Sequence, residues 1–395
     1  MEESTMNVSQ IYNLVNTATS EVLGDSAIVN EDLSNLVDIG TAIFNANAVD
    51  NYVRSLVDHI GKVIFVNRPY SGSVPSVLMD SWEYGSVLQK IQADLPTATE
   101  NESWELQDGA SYDPNLFYKP TVTCKFYNQK VTFEVPMSFT EKQVKESFSN
   151  ATQLNAFVSM LYNAIDRSMT VKVDSLIMRT INNMIGETFY ADYNAESGFT
   201  GKGGNKAVNL LYMYNHQMFG DSEADYITAD TAITDKAFLR YASYIMGVYK
   251  SRLAKMSKLF NIDGKERFTP ADMLHVVLHS DFEASAKAYL YSDTYNEEFN
   301  ELPKSEVVPY WQGSGTDYDF ASTSSISVKT ASGHTMTITG VIGVMFDTDS
   351  LGVTNIDRRI TTNYNPKAEF YNQWAKFDCG SFNDTSENFV VFFVA

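Results

Sequence analysis

The chain has 395 residues, 44% of them apolar, and its 29 basic and 49 acidic residues give a formal charge of −20. There is ample material for packed cores but no run of about 18 uncharged apolar residues, so no membrane span is expected. A sequence-specific DNA binder is disfavoured, because such proteins neutralise phosphates with Lys and Arg. The acidity fits plain solubility, or a protein that lives beside nucleic acid without adhering to it. Glu2 and Glu3 stand where an export signal would carry basic residues, and no apolar segment follows them. Cys124 and Cys379 allow one disulfide and no zinc framework. A reducing compartment, with both cysteines as small core residues, is expected.

Residues 1–53 hold eight acidic residues and no Lys or Arg. Short helical patches (Ile11, Val15, Ala18) suit either an arm that packs on something else or an ordinary N-terminal subdomain. Val53, Leu56, Val57 and Ile60 have helical spacing, and Val63–Val66 is strand-like before the turn chemistry of Asn67-Arg68-Pro69 and Ser71-Gly72-Ser73. From Trp82 to Pro114 the only base is Lys90, against Glu83, Asp94, Glu100, Glu102, Glu105, Asp108 and Asp113. Trp82, Tyr84, Trp104 and Tyr112 lie in the same stretch. Large aromatics in an acidic loop mark either a partner surface or rings tucked back on their own domain. Val122, Cys124 and Phe126, then Val131, Phe133 and Val135, alternate around Tyr127–Lys130 and predict a β-hairpin.

No Gly or Pro occurs from Met137 to Ile185. Apolar residues at Val144, Phe148, Ala151, Leu154, Val158, Leu161, Ile165, Met169, Val173, Leu176, Ile177, Ile181 and Ile185 recur at steps of mostly three or four. Thr140 and Gln143 have capping-box spacing, and Ser149-Asn150 can end one helix and start another. A helix over Asn150–Ile185 is expected, about 54 Å long at 1.5 Å per residue. Asp166, Arg167, Ser168, Lys172 and Asp174 interrupt any clean heptad, which argues against a coiled coil. Gly198–Lys206 reads as a mobile Gly-rich stretch, and Asp235–Leu259 as an amphipathic helix. Leu274–Leu278 is a predicted strand, Asp281–Tyr291 a helix and Pro303–Tyr310 a strand. Ser324–Lys329 and Thr335–Thr339 form a hairpin around Ala331–His334. Val341–Phe346 is a buried strand, and Tyr364–Lys376 and Asn388–Val394 are the last two. The fold class is α+β, sheets with one dominant helix.

Motifs that carry chemistry are absent or incomplete. His275 and His279 have i, i+4 spacing, but Val276 stands where a zinc protease needs Glu, and in a strand the two share a face by chance. Asp347-Thr348-Asp349 precedes Gly352, but Leu351 and Arg358 occupy positions where a calcium loop needs ligands. Gly201-Lys202-Gly203-Gly204 lacks the spacing and hydroxyl of a phosphate loop and reads as a hinge. Sequons at Asn7, Asn101, Asn150 and Asn383 matter only in a secreted protein. Lys250, Arg252, Lys255 and Lys258 fit a solvated helix face, or contact with phosphate or an acidic neighbour. No catalytic, cofactor-binding or metal site is expected, and no cofactor.

"FVSMLYNAIDRSM" (Phe157–Met169) resembles the long helix of capsid proteins from small short-tailed phages, and "LVDHIGKVIF" (Leu56–Phe65) the approach to their extended loop. The ending, "VIGVMFDTDSLGV" and then "NYNPKAEFYNQWAKFDCGSFNDTSENFVVFFVA", is similar to the closing strands of such proteins. The order of pieces over nearly the full length resembles the Hong Kong 97-like fold of tailed-phage major capsid proteins. That resemblance implies an N-terminal arm (1–60), an extended β-hairpin loop (61–138), a peripheral domain (139–225) with a spine helix (150–185), an axial domain (226–345) and a return into the peripheral domain (346–395). It also implies a non-enzymatic subunit that forms hexamers and pentamers of an icosahedral shell around double-stranded DNA. The implied partners are itself, a scaffolding protein, a portal and the packaged DNA, bound without sequence specificity, and no membrane. Assembly in the bacterial cytoplasm into a virion is implied too. Rival readings are an encapsulin-type nanocompartment, whose shell would hold protein cargo, and an acidic α+β hydrolase with a carboxylate cleft.

Overall fold

The computed structural model describes residues 16–21, 23, 42, 75–79, 88–93, 95–96, 98–101, 105–119, 121–140, 151–290, 305–312 and 320–395. The expected arm lies almost wholly outside these, as do Trp82, Tyr84, Trp104, Gln143 and Ser149-Asn150. In chain order the strands are β1 (Leu78–Met79), β2 (Leu88–Ala93), β3 (Val122–Tyr127), β4 (Lys130–Thr140), β5 (Ala207–Asn209), β6 (Leu274–His279), β7 (Glu306–Val308), β8 (Ile326–Lys329), β9 (Thr335–Ile338), β10 (Val341–Asp347), β11 (Leu351–Asn365), β12 (Phe370–Asn383) and β13 (Phe389–Phe393). The helices are α1 (Ala151–Tyr193), α2 (Leu210–Phe219), α3 (Ala229–Ala232), α4 (Lys236–Leu253), α5 (Ser280–Leu290) and α6 (Phe320–Thr323). This is the mixed helix-and-sheet class expected from the sequence.

The chain divides into two compact units, and α1, β11 and β12 run through both. One unit includes Lys130–Leu176 and Asn355–Gly380. In it β4 and β12 pair antiparallel from Thr140↔Phe370 to Lys130↔Gly380. Along β12 burial alternates, so Tyr371, Ala375, Phe377 and Cys379 face inward, where Phe139 stacks on Tyr371 and Phe133 lies against Phe377. The strand expected over Tyr364–Lys376 is interrupted. Asn365 Oδ1 accepts the amides of Lys367 and Ala368 at 3.1 and 3.3 Å, and Glu369 takes φ +50°, so Asn-Pro turn chemistry reverses the chain between β11 and β12.

The other unit, Val74–Gln129, Ile177–Thr354 and Ser381–Ala395, is built on a five-stranded sheet of order β5-β13-β10-β6-β7. Every residue of β10 and β13 is buried. A continuous apolar run is what a strand covered on both faces requires. On one face Ile342, Met345, Val390 and Phe392 meet Leu210 and Tyr214 of α2, Phe238, Ile245 and Tyr249 of α4 and Phe282 of α5. On the other, Phe393 packs 4.7 Å from Phe189 of α1. The register slips between Val341 and Gly343, which turns both Ile342 and Met345 to the helix layer. A Cβ on Gly343 would lie 2.6 Å from Leu278 Cδ2 and 3.0 Å from Val277 O, so a larger residue there would make the adjacent strand's side chain give way.

The helix expected over 150–185 is described over Ala151–Tyr193 and runs past Gly186. Ile165, Met169, Val173, Ile177, Ile181, Ile185 and Phe189 are buried along it. The cost of one glycine, about 1 kcal/mol, is small beside that burial. The helix stops at Asn194, whose φ of +51° and amide bond to Tyr190 O make a left-handed cap. The β8–β9 hairpin forms as expected, with Gly333 at φ +95° in its turn. The helix expected to reach Leu259 is α4, which begins on the Asp235 cap and ends at Leu253, so Lys255 and Lys258 lie beyond it. The Gly-rich stretch is tied down. Asp192 Oδ2 accepts the amides of Lys206 and Ala207 at 2.8 Å each, and Gly201 O accepts from Tyr193 and Asn209.

Candidate assembly interface

β3 and β4 do not form the expected hairpin. β4 is committed to β12, whereas β3 pairs antiparallel with β2, Ala93↔Val122 to Leu88↔Tyr127, across residues 94–121. Asn128-Gln129 contains no glycine to close a two-residue turn, and each strand finds a longer-range partner. The result is a two-stranded ribbon that carries the acidic loop.

The ribbon is seated by its polar face. Leu88, Lys90 and Gln92 of β2 and Thr123, Lys125 and Tyr127 of β3 share that face. Lys90 stands directly opposite Lys125, a cross-strand pair that repels unless an anion lies between. The buried Asp384 carboxylate is that anion. Its Oδ2 lies 2.8 Å from Lys90 Nζ and its Oδ1 2.8 Å from Lys125 Nζ. Lys125 also reaches Asp263 Oδ2 at 2.7 Å, and Lys90 reaches Glu387 Oε1 at 2.9 Å. Gln92 Nε2 donates to Asp384 and Glu387, and Gln92 Oε1 accepts from Arg267 Nη2 at 2.7 Å. Lys90, Lys125 and Arg267 thus balance Asp263, Asp384 and Glu387.

Burial alone would raise the pKa of Asp384. Hydrogen bonds from Lys125, Lys90 and Ser386 outweigh it and hold the carboxyl well below the usual carboxylate range. Burial works against the two ammonium groups, but their carboxylate partners raise both above the ordinary lysine value. Burial and the Asp384 charge push the Tyr127 phenol far up, so it stays neutral.

With the polar face seated, the apolar face is turned outward. Ile91 is 65% exposed, Phe126 63%, and Val122 and Cys124 are exposed beside them. Cys124 is therefore no core residue. The alternation Val122, Cys124, Phe126 was legible, but the side facing water is the opposite of the usual one. Beyond the ribbon every residue from 105 to 119 is exposed, including Leu106, Tyr112 and Leu116, with Phe117 at 86% and Tyr118 at 84%. Glu105, Asp108 and Asp113 lie among them. So many exposed apolar side chains interspersed with carboxylates fit the composition of a contact surface better than that of a solvated loop.

The sequence singled out none of Gln92, Lys125, Asp263, Arg267, Asp384 and Glu387. They lie up to 295 positions apart, Gln92 to Glu387, and no local motif joins them. The residues weighed for chemistry are scattered. His275 Nε2 lies 2.8 Å from Glu306 Oε2, and Glu306 also takes the amide and hydroxyl of Ser76. The carboxylate stands between serine and histidine, so no nucleophile–base pair forms. His279 is buried edge-on to Phe320, with its Nδ1 accepting the Asp281 amide. Asp347 caps its own turn through the Asp349 amide at 3.0 Å. Among the described residues no group of three His, Cys, Asp or Glu is placed to hold a metal ion, and no helix is long and apolar enough to cross a membrane.

Comparison with known proteins gives structural neighbours and one family match. A chain from the capsid structure of Staphylococcus phage Andhra is 9% identical, with a TM-score of 0.49 over 84% of this chain and 88% of that one. One from the capsid of Cyanophage P-SCSP1u is 10% identical, with a TM-score of 0.45 over 84% and 92%. One from Microbacterium phage Oxtober96 is 10% identical, with a TM-score of 0.44 over 84% and 94%. No curated protein sequence matches the chain. The assignment rests on the family model for the Phi29-like phage major capsid protein, which matches residues 15–393. The chain belongs to that family, and it is the major capsid protein of a phage.

Proposed function

We propose that copies of this chain assemble, as hexamers and pentamers, into an icosahedral shell around double-stranded DNA. The outward apolar face of β2–β3 and the acidic loop are laid on neighbouring subunits. The observation that carries this reading is the inverted ribbon, with charges buried beneath and Ile91, Val122, Phe126, Phe117 and Tyr118 in water. Burying these groups against a neighbour removes apolar surface from water, a gross gain of about 25 cal/mol per Å² that the entropy lost on association offsets in part. The Hong Kong 97-like layout supplies the division of labour. Residues 1–60 are the arm, 61–138 the extended loop, 139–225 the peripheral domain, 226–345 the axial domain and 346–395 the return. The subunit works as a wall and not as an enzyme. Scaffolding protein and portal are its partners during assembly in the bacterial cytoplasm, and its acidity keeps packaged DNA from adhering to it. The nanocompartment and hydrolase readings draw no support from the family match.

Replacing Leu116, Phe117 and Tyr118 together by Ser tests the reading. These side chains are exposed, so unfolding of the free subunit is expected to shift by no more than about 0.5 kcal/mol. Sedimentation is expected to show the loss of shells. Shells formed at the wild-type yield would contradict the role of the loop.

A further inference from the structure

A second surface complements the loop in charge and in apolar character. The end of α4 and the residues after it border a groove of about 750 Å³, lined by Tyr244, Gly247, Val248, Met256, Leu259 and the basic pair Arg252 and Lys255. Tyr244, Met256 and Leu259 are large apolar side chains left exposed there. Lys250, Arg252 and Lys255 are exposed and form no ion pair among the described residues, whereas Lys258 reaches Glu266 at 3.4 Å. Cations with no carboxylate partner among the described residues, Arg252 lying over the Tyr249 ring at 5.6 Å, call for an acidic occupant on a chain of formal charge −20. An apolar floor calls for one that also carries rings.

We propose that this groove receives the acidic loop, residues 105–119, of a second copy of the chain. The proposal rests on the capsid reading and names the seat of the loop. Glu105, Asp108 and Asp113 supply the charge, and Leu106, Tyr112, Phe117 and Tyr118 the apolar surface, all exposed in the isolated subunit. The subunit's own groove leaves them uncovered. The groove also abuts the loop end of its own ribbon. Ser257, on the groove wall, exchanges backbone hydrogen bonds with Arg267, and Arg267 holds Gln92 of β2. A loop arriving from one neighbour therefore lies beside the point from which the next loop departs. Loop and groove are different surfaces, so the contact is head-to-tail, the kind that closes into rings when the rotation allows.

Charge reversal in two chains tests this. The groove variant carries Arg252→Glu and Lys255→Glu, and the loop variant Glu105→Lys and Asp108→Lys. Each alone is expected to lower shell yield about tenfold or more at low salt, where surface charges act at full range. Mixing the two variants restores six-membered rings and the tubes built from them, read by electron microscopy, because alternating copies let each reversed loop meet a reversed groove and each native loop a native groove, which a five-membered ring does not allow. A mixture no better than either variant alone would overturn the proposal, since contact between copies is what mixing repairs. Wild-type yield from either variant alone would overturn it too. The unmodified chain forms shells in the same assay, so failure of the proposal is distinct from failure of the capsid reading, in which no shells form at all. Circular dichroism of each variant separates loss of contact from loss of fold, and a variant that does not fold is replaced by its neutral version, Arg252→Gln with Lys255→Gln or Glu105→Gln with Asp108→Gln. A neutral groove or loop is expected to show the same salt-dependent loss, and its absence would count against the seat.

Discussion

Asp384 decides whether the ribbon stays seated. Without its carboxylate Lys90 faces Lys125 across the strands with no charge between them. Breaking a buried ion cluster by removing one partner costs about 3–5 kcal/mol. Asp384→Ala is expected to lower unfolding free energy by that order in urea titration, and a change under about 0.5 kcal/mol would show that the cluster holds nothing. The pH dependence has a definite sign. The folded-state pKa of Asp384 lies below its ordinary value of 3.8, so the carboxylate's stabilisation is fully present above 3.8 and fades as pH falls below it toward the depressed value. Amide exchange in β2 and β3 should be steady near neutral pH and accelerate in acid, and Asp384→Asn should remove that response. The thiols offer a simpler check. Burial, then the Asp378 charge, pushes the Cys379 thiol up to about 12, while Cys124 is exposed. One thiol per free subunit should react with an aromatic disulfide reagent before denaturation, and both after. At this scale little was legible. Lys90 stood out as the lone base of an acidic stretch, but Asp384 lies in an unremarked polar turn. The alternation around Cys124 defines a face without saying which side meets water.

Periodicity was a good guide wherever an element's own burial decides its form. The β10 and β13 runs, the β8–β9 hairpin and the long helix α1 followed from apolar spacing, because their burial is continuous or strictly periodic. The boundaries did not follow. Gly186 lies inside α1 because surrounding burial outweighs its backbone entropy, and α4 ends before its basic residues do. The β3–β4 reversal failed for another reason: pairing is a choice among strands far apart in sequence, and β2 and β12 won. Gly340 shows how tightly the central sheet is closed. Its φ is +77°, and a Cβ there would lie 1.9 Å from Val394 O. Gly340→Ala is expected to lower the thermal midpoint by several degrees, the response to about 1–3 kcal/mol of backbone strain. An unchanged midpoint would mean that the C-terminal strand can yield.

For the whole molecule, the order of the pieces carried more than any motif. In the order of its aromatic loop, long helix and closing strands the chain resembles tailed-phage capsid subunits, and the family match over residues 15–393 agrees. The proposed interface was only half legible. The sequence placed aromatics in an acidic loop; that the ribbon beneath turns its apolar face outward depends on charges gathered from distant loops. The most direct measurement is electron microscopy of the purified chain, with and without a coexpressed scaffolding protein. Closed shells or tubes of many copies are predicted in at least one condition. Uniform monomers or dimers in both would contradict the account.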